Sequence, residues 1–443
     1  VLAEVIPTWF QPRPSAAAVP VPTDPSRSLF WLQTKSPSDP TRLGKTGCPM
    51  RPFWLDEMRQ TRAEGNARVR RVLRPDPAHP SRVIWHGRSI LPFASNDYLG
   101  LARDPRLARA AQRATRREGT GAGASPLVTG WLPSLRALER DLASFEGAEK
   151  SLVFPSGFQA NLAAISALAG PEDLILSDAL NHASLIDGCR LSRATIRVFR
   201  HADLAHAKEL ARNHRSQHRR LLVVTDSVFS MDGDVAPLEG LADLALSHDA
   251  MLLVDEAHAT GVMGPEGRGL AHHLAVRFEN EKGMLVRTGT LSKALGSQGG
   301  FITGAGSLTR WLVNRARGYL FSTALSPASA AAARVALRIA DREPWRREKV
   351  LALANLLRTQ LAEAGFPLLP GNSPIVPVVL GPSSRARDWS ARLAESGFLV
   401  PAIRHPSVPR DAARLRITLS ANHQEADVLA LARELATLWR SGR

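Results

Sequence analysis

The chain has only two cysteines in 443 residues, Cys48 and Cys189. That excludes a disulfide framework and a CxxC metal site, and fits a reducing cytoplasm. No apolar run approaches the roughly 18 residues that a spanning helix needs. The N-terminus has no basic segment leading into an apolar stretch, so no signal peptide is expected. Aromatic residues make up 6% of the chain, too few and too scattered for a base-stacking platform. The net charge of +16 is therefore read as a composition bias rather than a nucleic-acid surface. Lysine is also scarce. Of 57 basic residues only seven are lysine: Lys35, Lys45, Lys150, Lys208, Lys282, Lys293 and Lys349. What remains is ordinary for a globular protein, 44% hydrophobic and 22% charged, with length for two domains.

Residues 1–49 are rich in Pro, Ser and Ala and show no period of 2 or 3.6. They are expected to be a flexible extension, and Met50 a possible true start. Residues 50–95 read as a basic helical segment over 51–75 followed by a hairpin, "RVIWHGRSILPF" (82–93). From 96 to 330, apolar runs alternate with helical stretches: "SLVF" (151–154), "LILSD" (174–178), "TIRVF" (195–199), "LLVVTD" (221–226), "MLLVDEA" (251–257), "MLVRT" (284–288) and "GFITG" (300–304). Most runs are continuously apolar, which predicts strands buried on both faces of a mainly parallel seven-stranded sheet. Residues 331–443 carry long amphipathic helices and two short strands, "IVPVVLG" and "RLRITLS", which predicts a smaller α+β domain.

The chemistry gathers just past the strands. Asp226 and Ser230 follow "LLVVT", Asp255 and His258 follow "MLLV", Gly157 and Phe158 follow "SLVFPS", and Lys293 follows "MLVRTGTL". In open parallel sheets ligands bind at that edge. A carboxylate there commonly caps a helix, and a lone histidine is commonly structural. Together with a lysine among small residues ("TGTLSKALGSQGG"), they point to pyridoxal phosphate (PLP), which needs a Schiff-base lysine and an acidic partner for its ring nitrogen. Arginine cannot replace that lysine, because it does not lose its proton. "SGFQAN" (156–161) opens a helix whose free N–H groups suit a phosphate. "GTGAGAS" (119–125) fails the dinucleotide spacing and reads as a substrate-side loop. The pairs His272/His273 and His214/His218 lack a third ligand, so no metal is expected.

Eight motifs appear in order: "FASNDYLGLA", "GTGAGASPLVTG", "FPSGFQANLAAI", "NHASLIDG", "DSVFSMDGDVAPL", "LLVDEAHATGVMGPEGRG", "TLSKALGSQGG" and "FSTALSP". Over roughly residues 55–440 the chain resembles the α-oxoamine synthases. These are fold-type-I PLP transferases, aspartate aminotransferase-like, that condense an amino acid with an acyl thioester and release CO2. "SNDYLG", "FSMDGD" and "PAIRHPSVP" before "RLRITLS" are most similar to the branch that joins L-alanine to a pimeloyl group in biotin synthesis. The resemblance implies a homodimer with shared active sites and either acyl-CoA or acyl-carrier protein as donor, an anionic partner that the positive charge would attract.

The resemblance also implies roles. Lys293 carries the cofactor and acts as base, Asp255 faces the ring nitrogen, His258 lies near the phenolic oxygen and His182 stacks on the ring. Gly157, Phe158, Ser230 and Thr290 contact the cofactor. Ser322 and Thr323 reach the phosphate in the partner subunit. Asn96 and Arg416 surround the substrate carboxylate, joined by Arg70 or Arg71, and Ser407 lies on the acyl side. Two segments depart from the pattern. "TGWLPSLRALE" has Trp131 and Leu135 where histidines are usual, and "RHPSVP" has His405 and Ser407 in place of a proline and a threonine. Both segments leave the acyl donor open.

Overall fold

The computed structural model describes residues 52–63, 67–68, 70–278 and 284–441. The proposed extension over 1–49 lies outside them. A first unit ends at Ala67 and its described part is a single helix, Phe53–Ala63, with no buried residue. The basic helix expected over 51–75 is therefore shorter. From residue 70 the backbone is not helical, and Arg74–Pro75 pairs as a short strand with Val83 and Ile84. Gly65–Asn66 is a helix-stop signal in the sequence, and Pro75 opposes helix after it.

The second unit, from Arg68 onward, is built on a seven-stranded sheet. Its strands are β1 (Lys150–Phe154), β2 (Leu174–Asp178), β3 (Thr195–Phe199), β4 (Leu221–Asp226), β5 (Met251–Asp255), β6 (Leu285–Thr290) and β7 (Gly300–Gly304). They lie in the order β1-β7-β6-β5-β4-β2-β3. β7 runs antiparallel to both neighbours and the remaining pairings are parallel. Each expected strand is present. β4, β5 and the middle of β6 are buried on both faces, as continuous apolar runs require. β5 stops at Asp255 rather than running to residue 257, because the Asp255 carboxylate takes the Ala257 N–H (2.8 Å) and turns the chain. β6 continues to Thr290, so Thr290 belongs to the sheet edge.

Past this sheet, Ile375–Gly381, Ala413–Thr418 and Ala402–Ile403 form a three-stranded antiparallel sheet. Helices Trp345–Glu363, Ser383–Glu395 and Glu425–Ser441 accompany it. The hairpin strand Arg88–Pro92 also pairs in parallel with Phe398–Leu399, and one apolar cluster joins Phe93, Tyr98 and Leu99 to Leu295, Leu415 and Leu431. The segment after the hairpin is thereby clamped beside the C-terminal sheet. That placement brings residues 96–98 to the edge of the large sheet.

One buried ion pair braces β6 from behind. Arg287 donates to Glu146 Oε2 (3.0 Å) and to the Glu146 carbonyl (2.7 Å), both residues being nearly inaccessible. Removing one partner leaves an uncompensated buried charge. Arg287→Ala is expected to cost about 3–5 kcal/mol, read as a fall in the thermal midpoint. An unchanged midpoint would contradict the bracing role.

Candidate active site

The register of the sheet sets the site. Asp226 at the end of β4 lies opposite Asp255 at the end of β5, and Asp255 lies opposite Thr288 in β6. Neighbouring strands are about 4.8 Å apart, so two carboxylates stand side by side in a buried row. They share unequally. Burial, reinforced by the negative charge of Asp255, pushes the Asp226 carboxyl well above the usual range. Asp255 Oδ2 accepts from Asn161 Nδ2 (2.6 Å) and its Oδ1 from the Ala257 N–H (2.8 Å), so both oxygens are held in place. Asp255 is thus the carboxylate placed to pair with a cationic ring nitrogen.

Asn161 is aimed by three partners. Its amide nitrogen donates to Asp255 and to Ser184 Oγ (2.9 Å), and its oxygen accepts from Thr288 Oγ1 (2.6 Å). Ser184 in turn fixes His182. The Ser184 hydroxyl (2.7 Å) and backbone N–H (3.3 Å) both lie against His182 Nδ1. With Nδ1 accepting, the neutral ring carries its proton on Nε2. Desolvation lowers the basicity of this ring, against the opposing pull of Asp255. The His182 N–H donates to Asp226 Oδ2 (2.7 Å), which anchors its loop to the acid row.

Lys293 follows β6 by three residues. Its Nζ lies 2.9 Å from His258 Nε2. Burial pulls the amine down to about 8, with Asp255 and Asp226 resisting. His258 is buried, and desolvation with the Lys293 charge drives it well below the usual histidine range, so it is neutral. The chain of contacts continues. His258 Nδ1 lies 2.7 Å from Tyr98 Oη, Tyr98 donates to Asn96 Oδ1 (3.3 Å), and that oxygen also accepts from Arg416 (3.2 Å). Arg416 Nε donates to the Ser230 carbonyl. Tyr98 is fully buried and its hydroxyl is raised to about 12, so it stays protonated. Three side chains, His258, Tyr98 and Asn96, therefore connect the lysine amine to the Arg416 guanidinium.

The fourth wall is a helix N-terminus. Gly157 opens the helix Gly157–Leu168 directly after β1, capped by Ser156, whose hydroxyl accepts from Gln159 N–H (3.2 Å). A Cβ on Gly300 would lie 2.4 Å from Gly157 N, so only glycine lets β7 start beneath this turn. Thr290 flanks it, donating to the Gly299 carbonyl (2.9 Å), with Ser292 Oγ 2.7 Å away. The Phe158 ring stands edge-on to His182 with centroids 6.3 Å apart. Free N–H groups at this turn suit a dianionic phosphate. A depressed lysine, a hydrogen-bonded acid at a strand end, a histidine of lowered basicity beside it and a phosphate-ready helix start together fit PLP.

Lys293, His258, Asp255, His182, Asn96, Arg416, Ser230, Gly157, Phe158 and Thr290 thus converge. Other expected residues sit elsewhere in this chain. The Ser322 hydroxyl meets the Thr323 carbonyl, and the next residue ties the segment to the "GTGAGAS" loop, Ala324 N–H to the Ala124 carbonyl (3.0 Å). Arg70 and Arg71 are exposed, Arg71 lying over the Trp85 ring at 5.2 Å. Ser407 accepts from Arg68 (3.4 Å). Trp131 donates to the buried Glu139 (2.7 Å), while Leu135 belongs to the core. His273 meets Glu239, His272 the Glu146 carbonyl, and His218 the His214 carbonyl. Among the described residues no cluster of three or more His, Cys, Asp or Glu could hold a metal. Sequence reasoning missed roles for Asn161, Ser184 and Tyr98, and left Asp226 without one. Tyr98 is one of only two tyrosines, a rarity that could have marked it.

The chain belongs to the aminotransferase class I and II family, whose model matches residues 88–435. Within it, the chain is 48% identical over 361 residues to the 8-amino-7-oxononanoate synthase of Anaeromyxobacter dehalogenans, covering 81% of this chain and 89% of that one. It is 44% identical over 389 residues to the one from Geobacter sulfurreducens, covering 87% and 97%. Among solved structures, a Sphingomonas wittichii serine palmitoyltransferase superposes with TM-score 0.80 at 31% identity, covering 87% of this chain and 96% of that one. An 8-amino-7-oxononanoate synthase from Francisella tularensis gives TM-score 0.69 at 26% identity, covering 80% and 98%. The resemblance to the α-oxoamine synthases and the fold-type-I architecture expected from it both hold.

Asp255→Asn keeps the shape but loses the charge at the acid row. It is expected to weaken cofactor binding and to cut turnover by about 10²–10³-fold, measured by PLP titration and steady-state rates. Wild-type values for both would refute the role given to Asp255.

Proposed function

We propose that the chain catalyses the PLP-dependent decarboxylative condensation of L-alanine with a pimeloyl thioester, of CoA or of a carrier protein. The products are 8-amino-7-oxononanoate, CO2 and the free thiol, a step of biotin synthesis. The observation that carries this reading is the connected path from Lys293 through His258, Tyr98 and Asn96 to Arg416. It sets a near-neutral amine and a carboxylate-binding guanidinium at opposite ends of one cleft. The names of the relatives support the choice of substrates.

Bound PLP supplies the electron sink for negative charge at the amino acid's α-carbon. Lys293 would carry the cofactor and, once displaced by the amino acid, take the α-proton. With its amine at about 8, a usable fraction is unprotonated near neutral pH. Asp255 would hold the proton on the ring nitrogen, and His258 would be placed toward the phenolic oxygen. Arg416 and Asn96 grip the substrate carboxylate, with Arg416 aimed by the Ser230 carbonyl. The Nε2–H of His182 donates to oxygen charge developing at the thioester carbonyl. Gly157, Phe158 and Thr290 hold the phosphate. In a cytoplasmic homodimer Ser322 and Thr323 would complete that grip from the other subunit. Arg70 or Arg71 would join Arg416 and Asn96 at the substrate carboxylate, and Ser407 would lie toward the acyl chain. No helix among the described residues is long and apolar enough to cross a membrane.

The test is a matrix of alanine, glycine and serine against acyl thioesters of different length, read as CO2 release. Alanine with the pimeloyl thioester is expected to dominate. Preference for glycine or serine with another acyl group would move the chain to a different α-oxoamine synthase activity. Lys293→Ala should lose the visible band of lysine-bound cofactor and at least about 10³-fold of the rate. A surviving band would sink the assignment.

A further inference from the structure

His201 has no part in the site above, yet it sits between two acids. Its Nδ1 lies 2.9 Å from Asp178 Oδ1 and its Nε2 lies 2.8 Å from Asp234 Oδ2. A carboxylate offers only acceptors, and a neutral imidazole has one N–H. Two carboxylates, one on each ring nitrogen, are satisfied together only by an imidazolium. Asp178 has other donors, the N–H groups of Leu180 and Ala202, both at 2.8 Å. Asp234 depends on His201 alone, because its Oδ1 is buried with no hydrogen-bond partner. The Phe229 ring packs edge-on against the imidazole at 4.3 Å. The nearby Arg200, Asp203 and His206 satisfy one another: Arg200 pairs with Asp203 (2.8 Å), and the Arg200 N–H donates to His206 (3.0 Å).

The two acids belong to different walls of the cleft. Asp178 ends β2 and turns the loop that delivers His182. Asp234 closes the turn 227–236, in which Val228 bridges Val235 and Phe229 N–H donates to the Asp234 carbonyl (3.0 Å). That turn carries Ser230, whose carbonyl aims Arg416, and Asp232, which pairs with Arg414.

We propose that His201 is a positioning residue: as a cation it clamps the His182 loop to the Ser230 turn and so keeps Arg416 aimed at the substrate carboxylate. It touches no reacting atom. Burial alone would lower the ring's basicity, but the two carboxylates outweigh it and hold it at about 9. The contribution to stability is therefore complete below the ordinary histidine value of about 6.5 and is lost as pH rises through about 9. The inference rests on the reading that Arg416 binds the amino acid's carboxylate.

Two measurements test it. Histidine NMR of the intact protein, with the His201 signal assigned by its loss in His201→Gln, should show an imidazolium at neutral pH titrating near 9. Asp234→Asn should lower that midpoint. A midpoint of about 6.5, or the absence of any histidine titrating near 9 in the unaltered protein, would overturn the clamp without touching the proposed reaction. In kinetics, His201→Gln should raise the amino-acid KM about tenfold, the worth of one hydrogen bond between charged groups, and change kcat far less. His201→Arg, a fixed cation with several donors, should restore much of the loss. An unchanged KM, or a loss confined to kcat, would overturn the positioning role. Failure of the wild type to release CO2 from alanine would instead overturn the proposed reaction.

Discussion

Two buried carboxylates in adjacent parallel strands cannot both carry a charge cheaply, and the site follows from how they divide it. Asp226 takes the protonation-prone place and is used as a structural acceptor for the His182 loop. Asp255 receives the amide of Asn161 and the Ala257 N–H, one donor on each oxygen. Both acids lie in the same buried row as the His182 loop, and Lys293 follows the next strand. Asn161 is packed between β5, β6 and Ser184: the group that supports Asp255 also aligns the His182 proton.

A second constraint works by removing water. Burial lowers Lys293 to about 8 and makes His258 neutral, although either would be charged in solution near its own usual value. The amine then sits beside an acceptor rather than a competing cation. Tyr98 and Asn96 extend the contact to Arg416, so Lys293 and Arg416 share a set of hydrogen bonds. Networks of this kind hold geometry because breaking one member strands the rest.

Much of the fold was legible because its signals are local. Seven runs, most of them continuously apolar, became the seven strands, and residues at or past strand ends such as Asp255 and Lys293 fell at one edge because parallel connections put them there. Lysine scarcity and small neighbours singled out Lys293. The illegible part joins residues far apart in the chain. Asn96 and Arg416 are separated by 320 positions and Tyr98 and His258 by 160, and they meet through the sheet that the hairpin shares with the C-terminal segment. No periodicity announces such a meeting. The overlong N-terminal helix has the opposite cause: basic residues around Arg68–Arg74 read as helical, while Gly65–Asn66 and Pro75 oppose continuation. Arg70, Arg71 and Ser407 take their assigned roles from the motif resemblance, since within one chain they lie apart from the cluster.

The central claim is that Asp255 carries the charge that keeps a bound ring nitrogen protonated. It is tested most directly by nitrogen NMR of the protein loaded with PLP labelled at that nitrogen. The signal should be that of a protonated pyridine at neutral pH, and should revert to the unprotonated form in Asp255→Asn but not in Asp226→Asn. An unprotonated nitrogen in the unaltered protein would contradict the account.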